Sequence, residues 1–122
     1  MPSSPDPAAA PAAFAAPAGE PPDALFAALA DPTRRAILRA VAEHGPVTAT
    51  TLAGRLPVTR QAVAKHLGLL REAGLVLPER DGRETRFTAV SDPLDGLAAW
   101  AATTGRRWDD RLDRLRRHLA TG

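Results

Sequence analysis

From Asp23 onward, apolar residues recur at helical spacing and are interrupted at regular intervals by capping residues and prolines. Leu25, Phe26 and Leu29 mark a short first helix that Asp23 can cap. "DPTRRAILRAVAEHGP" then restarts the pattern, with Asp31 as N-cap, Pro32 at the first helical position and Gly45-Pro46 as the stop. Thr48 caps a third short helix that turns Leu52 and Leu56 inward, and Thr59 caps a fourth. In the fourth, Val63, Leu67, Leu70 and Ala73 share one apolar stripe. Gly74 ends it, and Leu75 behind it supplies the apolar contact usual at a glycine C-cap. Two short helices joined by a few residues make a helix-turn-helix.

After Gly74 the period changes. "LVLPERDGRETRFTAV" predicts two short strands, Leu75 to Glu79 and Glu84 to Val90, joined through Asp81-Gly82, so that residues 75–90 form a wing. At Asp92-Pro93 the helical period returns. Leu94, Leu97, Ala101, Trp108, Leu112, Leu115 and Leu119 then share a stripe whose closing spacings, 4, 3 and 4, resemble a helix-pairing seam. The expected fold is mainly α: a winged helix-turn-helix of five helices and a two-stranded β-hairpin, spanning residues 23–120. Residues 1–22, mostly Pro and Ala, are expected to be a disordered tail, because the prolines interrupt any helix the alanines could nucleate.

A chain of 122 residues has room for one domain, with a core modest enough that a partner chain often completes it, so an oligomer is expected. The formal net charge of +2 is unevenly spread: residues 1–23 hold Asp6, Glu20 and Asp23 and no Lys or Arg, leaving 16 basic against 11 acidic side chains, net +5, in the rest. That balance favours a polyanionic partner. Absence of cysteine excludes disulfides, thiolate metal sites and thiol redox sensing. No signal-peptide pattern is present and no segment reaches the ~20 apolar residues of a membrane span, so a cytoplasmic location is expected. No nucleophile–base pair, phosphate loop or carboxylate constellation points to an enzyme.

The fourth helix carries a second stripe, Arg60, Gln61, Ala64, Lys65 and Gly68, in which hydrogen-bond donors alternate with the two smallest side chains. An ordinary solvated face would be crowded with long charged residues. The DNA major groove, about 12 Å wide, admits a helix whose contacting side chains are short or reach toward base edges and phosphates. Ala64 and Gly68 permit that approach. Arg60 can donate twice to a guanine edge, Gln61 can pair with adenine, Lys65 can serve a phosphate or a guanine, and the Thr59 hydroxyl can meet a phosphate at the helix start. The wing adds Arg80, Arg83 and Arg86, of which Arg83 lies nearest the tip. His66, between the two stripes, reads as structural or phosphate-adjacent rather than as a titrating switch. Arg34, Arg35 and Arg39 read as a solvated face, and Trp100 and Trp108 as helix-pairing core rather than a ligand pocket.

The segment "ALADPTRRAILRAVAEHGPVTATTLAGRLPVTRQAVAKHLGLLREAGLVLPERDGRETRFTAV" resembles the winged-helix core of the arsenic-repressor (ArsR/SmtB) family of bacterial transcription regulators. The resemblance covers roughly residues 24–120 and rests on "DPTRR.IL", "T.QAV.KHL..L..AGLV" and a "DGR" wing. It implies a homodimer that binds operator DNA and usually represses, with the first and last helices forming the dimer contact. On this chain that implies Leu25, Phe26, Leu29, Leu97, Trp100, Ala101, Trp108, Leu112 and Leu115 at the dimer interface. It places DNA contact on Thr59, Arg60, Gln61, Ala64, Lys65, His66 and the wing arginines. Ala64 departs from the serine usual in the family's recognition helix, which removes a hydroxyl contact. The family's cysteine metal sites cannot exist here.

Its other metal site, in the final helix, needs paired carboxylate and imidazole ligands, for which this chain offers Asp109, Asp110, Asp113 and His118. Asp113 and His118 stand about 140° apart around a helix, so one chain does not bring both to one ion, although two chains could do so across a dimer. The expected function is a cofactor-free homodimeric repressor that reads an inverted-repeat operator with the recognition helix 59–73 and the wing 75–90, its effector not written in recognisable residues. Two alternatives stand beside it. One is a nickel- or zinc-responsive regulator with its site in the final helix. The other is a winged-helix protein-interaction module, whose sign would be an acidic or apolar recognition stripe.

Overall fold

Side-chain caps set where most of the helices begin. In the computed structural model, which describes residues 19–121, these are α1 (Asp23–Ala30), α2 (Pro32–His44), α3 (Ala49–Arg55), α4 (Arg60–Glu72) and α5 (Asp92–Thr121). The expected tail falls outside the described residues except at its end, where Pro21 is buried and the Pro22 carbonyl accepts from Leu25 N–H. Asp31 Oδ1 accepts from Thr33 N–H at 2.9 Å, Thr48 Oγ1 from Thr51 N–H at 3.1 Å, and Thr59 Oγ1 from Ala62 N–H at 3.1 Å. Each bond satisfies one of the donors that a helix start leaves orphaned. Asp23, expected as a cap, is instead the first helical residue, and Pro22 occupies the cap position without a side-chain bond. The Asp23 carboxylate thereby meets the positive end of the helix dipole rather than one amide.

Gly74 terminates α4 through two bonds, Leu75 N–H to the Leu70 carbonyl and Gly74 N–H to the Arg71 carbonyl, both 2.9 Å. This Schellman arrangement needs a left-handed residue, and Gly74 has φ +75°. It turns the chain straight into the sheet. Strands β1 (Val47–Thr48), β2 (Val76–Asp81) and β3 (Glu84–Ala89) pair antiparallel in the order β1-β3-β2. The wing is thus the outer hairpin of a three-stranded sheet rather than a free two-stranded one. Val47 opposite Phe87 and Thr48 opposite Arg86 make up the whole of β1, which is too short to carry a period. The hairpin turn also sits one residue later than expected: Asp81 pairs with Glu84, and Gly82 and Arg83 form the two-residue loop. Gly82 alone takes positive φ, +63°, the pattern of a type II′ turn.

The helices and the sheet close on one core of Leu25, Ala28, Ile37, Leu38, Val41, Val47, Leu52, Val63, Leu67, Leu70, Ala73, Leu75 and Val76. Leu25 corrects an expectation. At 1% exposure it is spent on this intrachain core and has no surface left to offer a second chain. Phe26 and Leu29 lie half-buried on the same helix. The Phe26 ring meets Trp100 edge-on, with centroids 5.5 Å apart and planes at 72°, and this contact ties α1 to α5. Leu97 packs against the core as well. Beyond Trp100 the 30-residue α5, about 45 Å long, leaves the core, and Trp108, Leu115 and Leu119 are 61%, 52% and 70% exposed. No helix among the described residues is long and apolar enough to cross a membrane.

Candidate nucleic-acid interface

The inner stripe of α4 decides what its outer stripe can do. Val63, Leu67 and Leu70 are fully buried, which locks the helix with Arg60, Gln61, Ala64, Lys65 and Gly68 all exposed on the other side. A Cβ added at Gly68 would meet nothing within 4 Å, so the glycine answers no packing need of the chain itself. Thr59, also exposed, spends one oxygen lone pair on the helix cap and keeps its hydroxyl proton for a further acceptor. Among the described residues Arg60, Gln61 and Lys65 make no hydrogen bond or ion pair, so their donors are uncommitted. A helix start, three long donors and two small side chains therefore face outward together.

The wing arginines are not equivalent. Arg80 and Arg83 are exposed, and Arg83 occupies the turn itself. Arg86 lies on β3 with its Nε 3.3 Å from the Asp81 carboxylate and its Nη2 3.3 Å from Glu84. Two carboxylates already compensate its charge. In the free protein its guanidinium is thus engaged along the hairpin, where the Nε is buried without an aligned hydrogen bond.

His66 is likewise turned away from the outer stripe. Its side chain is 18% exposed, with Nδ1 3.5 Å from Arg34 Nη1 and 3.8 Å from Asp31 Oδ2. Arg34 and Arg35, expected on a solvated face, are tied to the end of α1. Arg34 donates from Nη2 to the Ala27 carbonyl at 3.0 Å and from Nε to the Ala28 carbonyl at 3.1 Å, and Arg35 Nη1 donates to the Leu29 carbonyl at 2.6 Å. These are carbonyls that a helix C-terminus leaves without partners. The sequence signal was available: two arginines in the first turn after a helix end lie within reach of its negative pole. Arg39 is exposed. Along α5, Asp113 pairs with Arg116 at 3.4 Å, and among the described residues no three carboxylate or imidazole groups gather as a metal site.

Residues 29–79 match the family model of a helix-turn-helix domain. The HTH-type transcriptional regulator Rv2034 of Mycobacterium tuberculosis is 46% identical over 91 residues, which span 75% of this chain and 81% of that protein. A solved ArsR-like transcriptional regulator from Rhodococcus sp. RHA1 superimposes with a TM-score of 0.78 at 39% identity, over 82% of this chain and 91% of that one. The chain belongs to the ArsR/SmtB family. It is a DNA-binding transcription regulator with the winged helix-turn-helix expected of it. The arsenical resistance operon repressor of Escherichia coli is a further relative, 33% identical over 78 residues that cover 64% of this chain and 63% of the repressor. Within this ArsR/SmtB regulator α4 is the second helix of the helix-turn-helix, the element that such folds lay in the major groove.

Gly68 offers a test of that face in which stability and binding move in opposite directions. Gly68→Leu should leave the fold intact or raise its stability by up to about 1 kcal/mol, because leucine is the better helix former and meets open space. The same bulk should lower operator affinity by about tenfold or more by holding α4 off the base edges. Thermal melting and a DNA shift titration of the variant check both halves.

Proposed function

We propose that the chain is a homodimeric repressor that acts in the cytoplasm on an inverted-repeat operator, each protomer laying α4 in the major groove and its wing along the neighbouring backbone. The observation that carries this reading is the outward stripe of α4, where Arg60 and Gln61 take the base edges, Thr59 and Lys65 the phosphates, and Ala64 and Gly68 the space for approach. At the wing, Arg83 and Arg80 serve the phosphates. Similarity to the Escherichia coli repressor supports the direction of control.

Dimerisation is supported by α5, whose exposed Trp108 and Leu115 continue the line from Leu97, Trp100 and Ala101 through Leu112. Apolar residues in such a row mark a contact surface, and a two-fold axis lets one stripe cover its own copy, with Phe26 and Leu29 of α1 beside it. Footprinting on DNA flanking the gene, with light scattering of the free protein, tests the reading. The expected result is a dimer protecting two half-sites about 34–36 Å apart, or a multiple of that, in inverted orientation. A monomer protecting one unrepeated site would overturn it.

The two wing arginines should separate in the same assay. Arg83→Ala should weaken binding to all sequences alike and lower the slope of log affinity against log salt by about one unit, as loss of one phosphate contact does. Arg86→Ala should leave that slope nearly unchanged, because Asp81 and Glu84 already hold its charge.

A further inference from the structure

Arg34 is engaged on three helices at once. Its guanidinium caps α1 through the Ala27 and Ala28 carbonyls, pairs with the α2 cap residue Asp31 at 3.3 Å, and reaches His66 of α4 at 3.5 Å, while the side chain is only 17% exposed. An arginine has no acceptor to give, so in the contact with Nδ1 the imidazole accepts. We propose that Arg34 is a positioning residue for operator reading, fixing the roll of the recognition helix about its own axis through His66. The physical reason lies in the kinds of contact that hold α4. Val63, Leu67 and Leu70 set which face of α4 turns outward, but apolar burial is non-directional and leaves the fine angle compliant, whereas a hydrogen bond from a planar guanidinium fixes it. His66 sits at the flank of α4 and follows Lys65 directly, so a contact there sets where the outer stripe points. Base edges demand that direction closely, while phosphate contacts tolerate a change in it. The same guanidinium closes a chain of contacts from Trp100 of α5, through Phe26 and the end of α1, to α4.

The inference rests on α4 being the base-reading helix, and the experiment keeps the two apart. Arg34→Lys retains the charge beside Asp31 but cannot span two carbonyls and an imidazole with one ammonium. His66→Ala removes the α4 end of the contact and leaves the α1 caps in place. Arg35→Ala is the control, since it removes a cap from the same helix end without touching α4. Arg34→Lys and His66→Ala should each lower operator affinity about tenfold and affinity for random DNA of equal length less than about twofold, with the double variant no worse than the weaker single, as coupled residues behave. Arg35→Ala should reduce thermal stability and leave the operator-to-random ratio at the wild-type value.

Without DNA, amide hydrogen exchange across residues 60–68 should quicken severalfold in Arg34→Lys and not in Arg35→Ala. A wild-type ratio in Arg34→Lys, an equal loss of ratio in Arg35→Ala, or unchanged exchange in α4 would each overturn the proposal. Wild-type protein that failed to discriminate operator from random DNA would instead overturn the base-reading role of α4, and the exchange measurement would still decide what Arg34 does.

Discussion

Replacing Arg60 or Gln61 with alanine should cost specific binding about 1–3 kcal/mol each, roughly 5- to 150-fold in affinity, and relax sequence preference at the base pairs they meet. Both side chains are exposed and, among the described residues, uncommitted, so the substitutions should change folding stability by no more than about 0.5 kcal/mol. Loss of binding with stability intact is the signature of a contact residue. The loss should also differ in kind from that of Arg83→Ala: discrimination falls while the salt dependence stays nearly constant, because a base edge carries no counterion to release. Titration of each variant against operator and random DNA at two salt concentrations measures both. An Arg60→Ala protein with undiminished discrimination would remove that residue from base reading.

The opposite signature is expected on the inner face of the same helix. Leu67 is 1% exposed and lies between Val63 and Leu70 in the stripe that holds α4 to the core. Leu67→Ala should destabilise the fold by about 2–5 kcal/mol, the lost transfer energy plus the cavity left where neighbours cannot collapse. For a domain whose whole stability is about 5–15 kcal/mol, that is a large share, visible as a lowered urea midpoint with an unchanged slope. Binding should suffer only through the unfolded fraction, and saturating operator DNA should restore the fold, since a ligand that binds only the native state stabilises it. A Leu67→Ala protein that melts like wild type would mean that α4 is not held by this stripe.

Most helix boundaries were legible because local chemistry decides them. Asp31, Thr48 and Thr59 cap the helices they were expected to cap, and Gly74 ends α4 in the left-handed conformation its place required. Each of those bonds joins residues a few positions apart, so the sequence contains both partners. The exceptions are small and of one kind. Asp23 moved one position into its helix and the hairpin turn slid by one residue, shifts that cost little locally and that pairing elsewhere in the fold decides. The outward stripe of α4 was legible for the same local reason: once Val63, Leu67 and Leu70 face the core, helical geometry fixes what faces away.

The roles of the charged residues were less legible, because the angles at which neighbouring elements meet decide which partner each one takes. Arg34, Arg35, Arg86 and Arg60 are the same side chain in the sequence. In the fold the first two cap α1, the third is held between Asp81 and Glu84, and the last has no partner among the described residues on the outer stripe of α4. His66 turned toward Asp31, 35 positions earlier, and away from the outer stripe that its neighbour Lys65 keeps. Leu25 left the expected dimer set for the core, and the two residues of β1 found strand partners about 40 positions away. The sequence by itself therefore determined the elements, their ends and the α4 surface, which follow from contacts within a turn or two. Tertiary structure decided which charged groups keep uncommitted donors, because charge compensation depends on distance in space, which the angles between elements set.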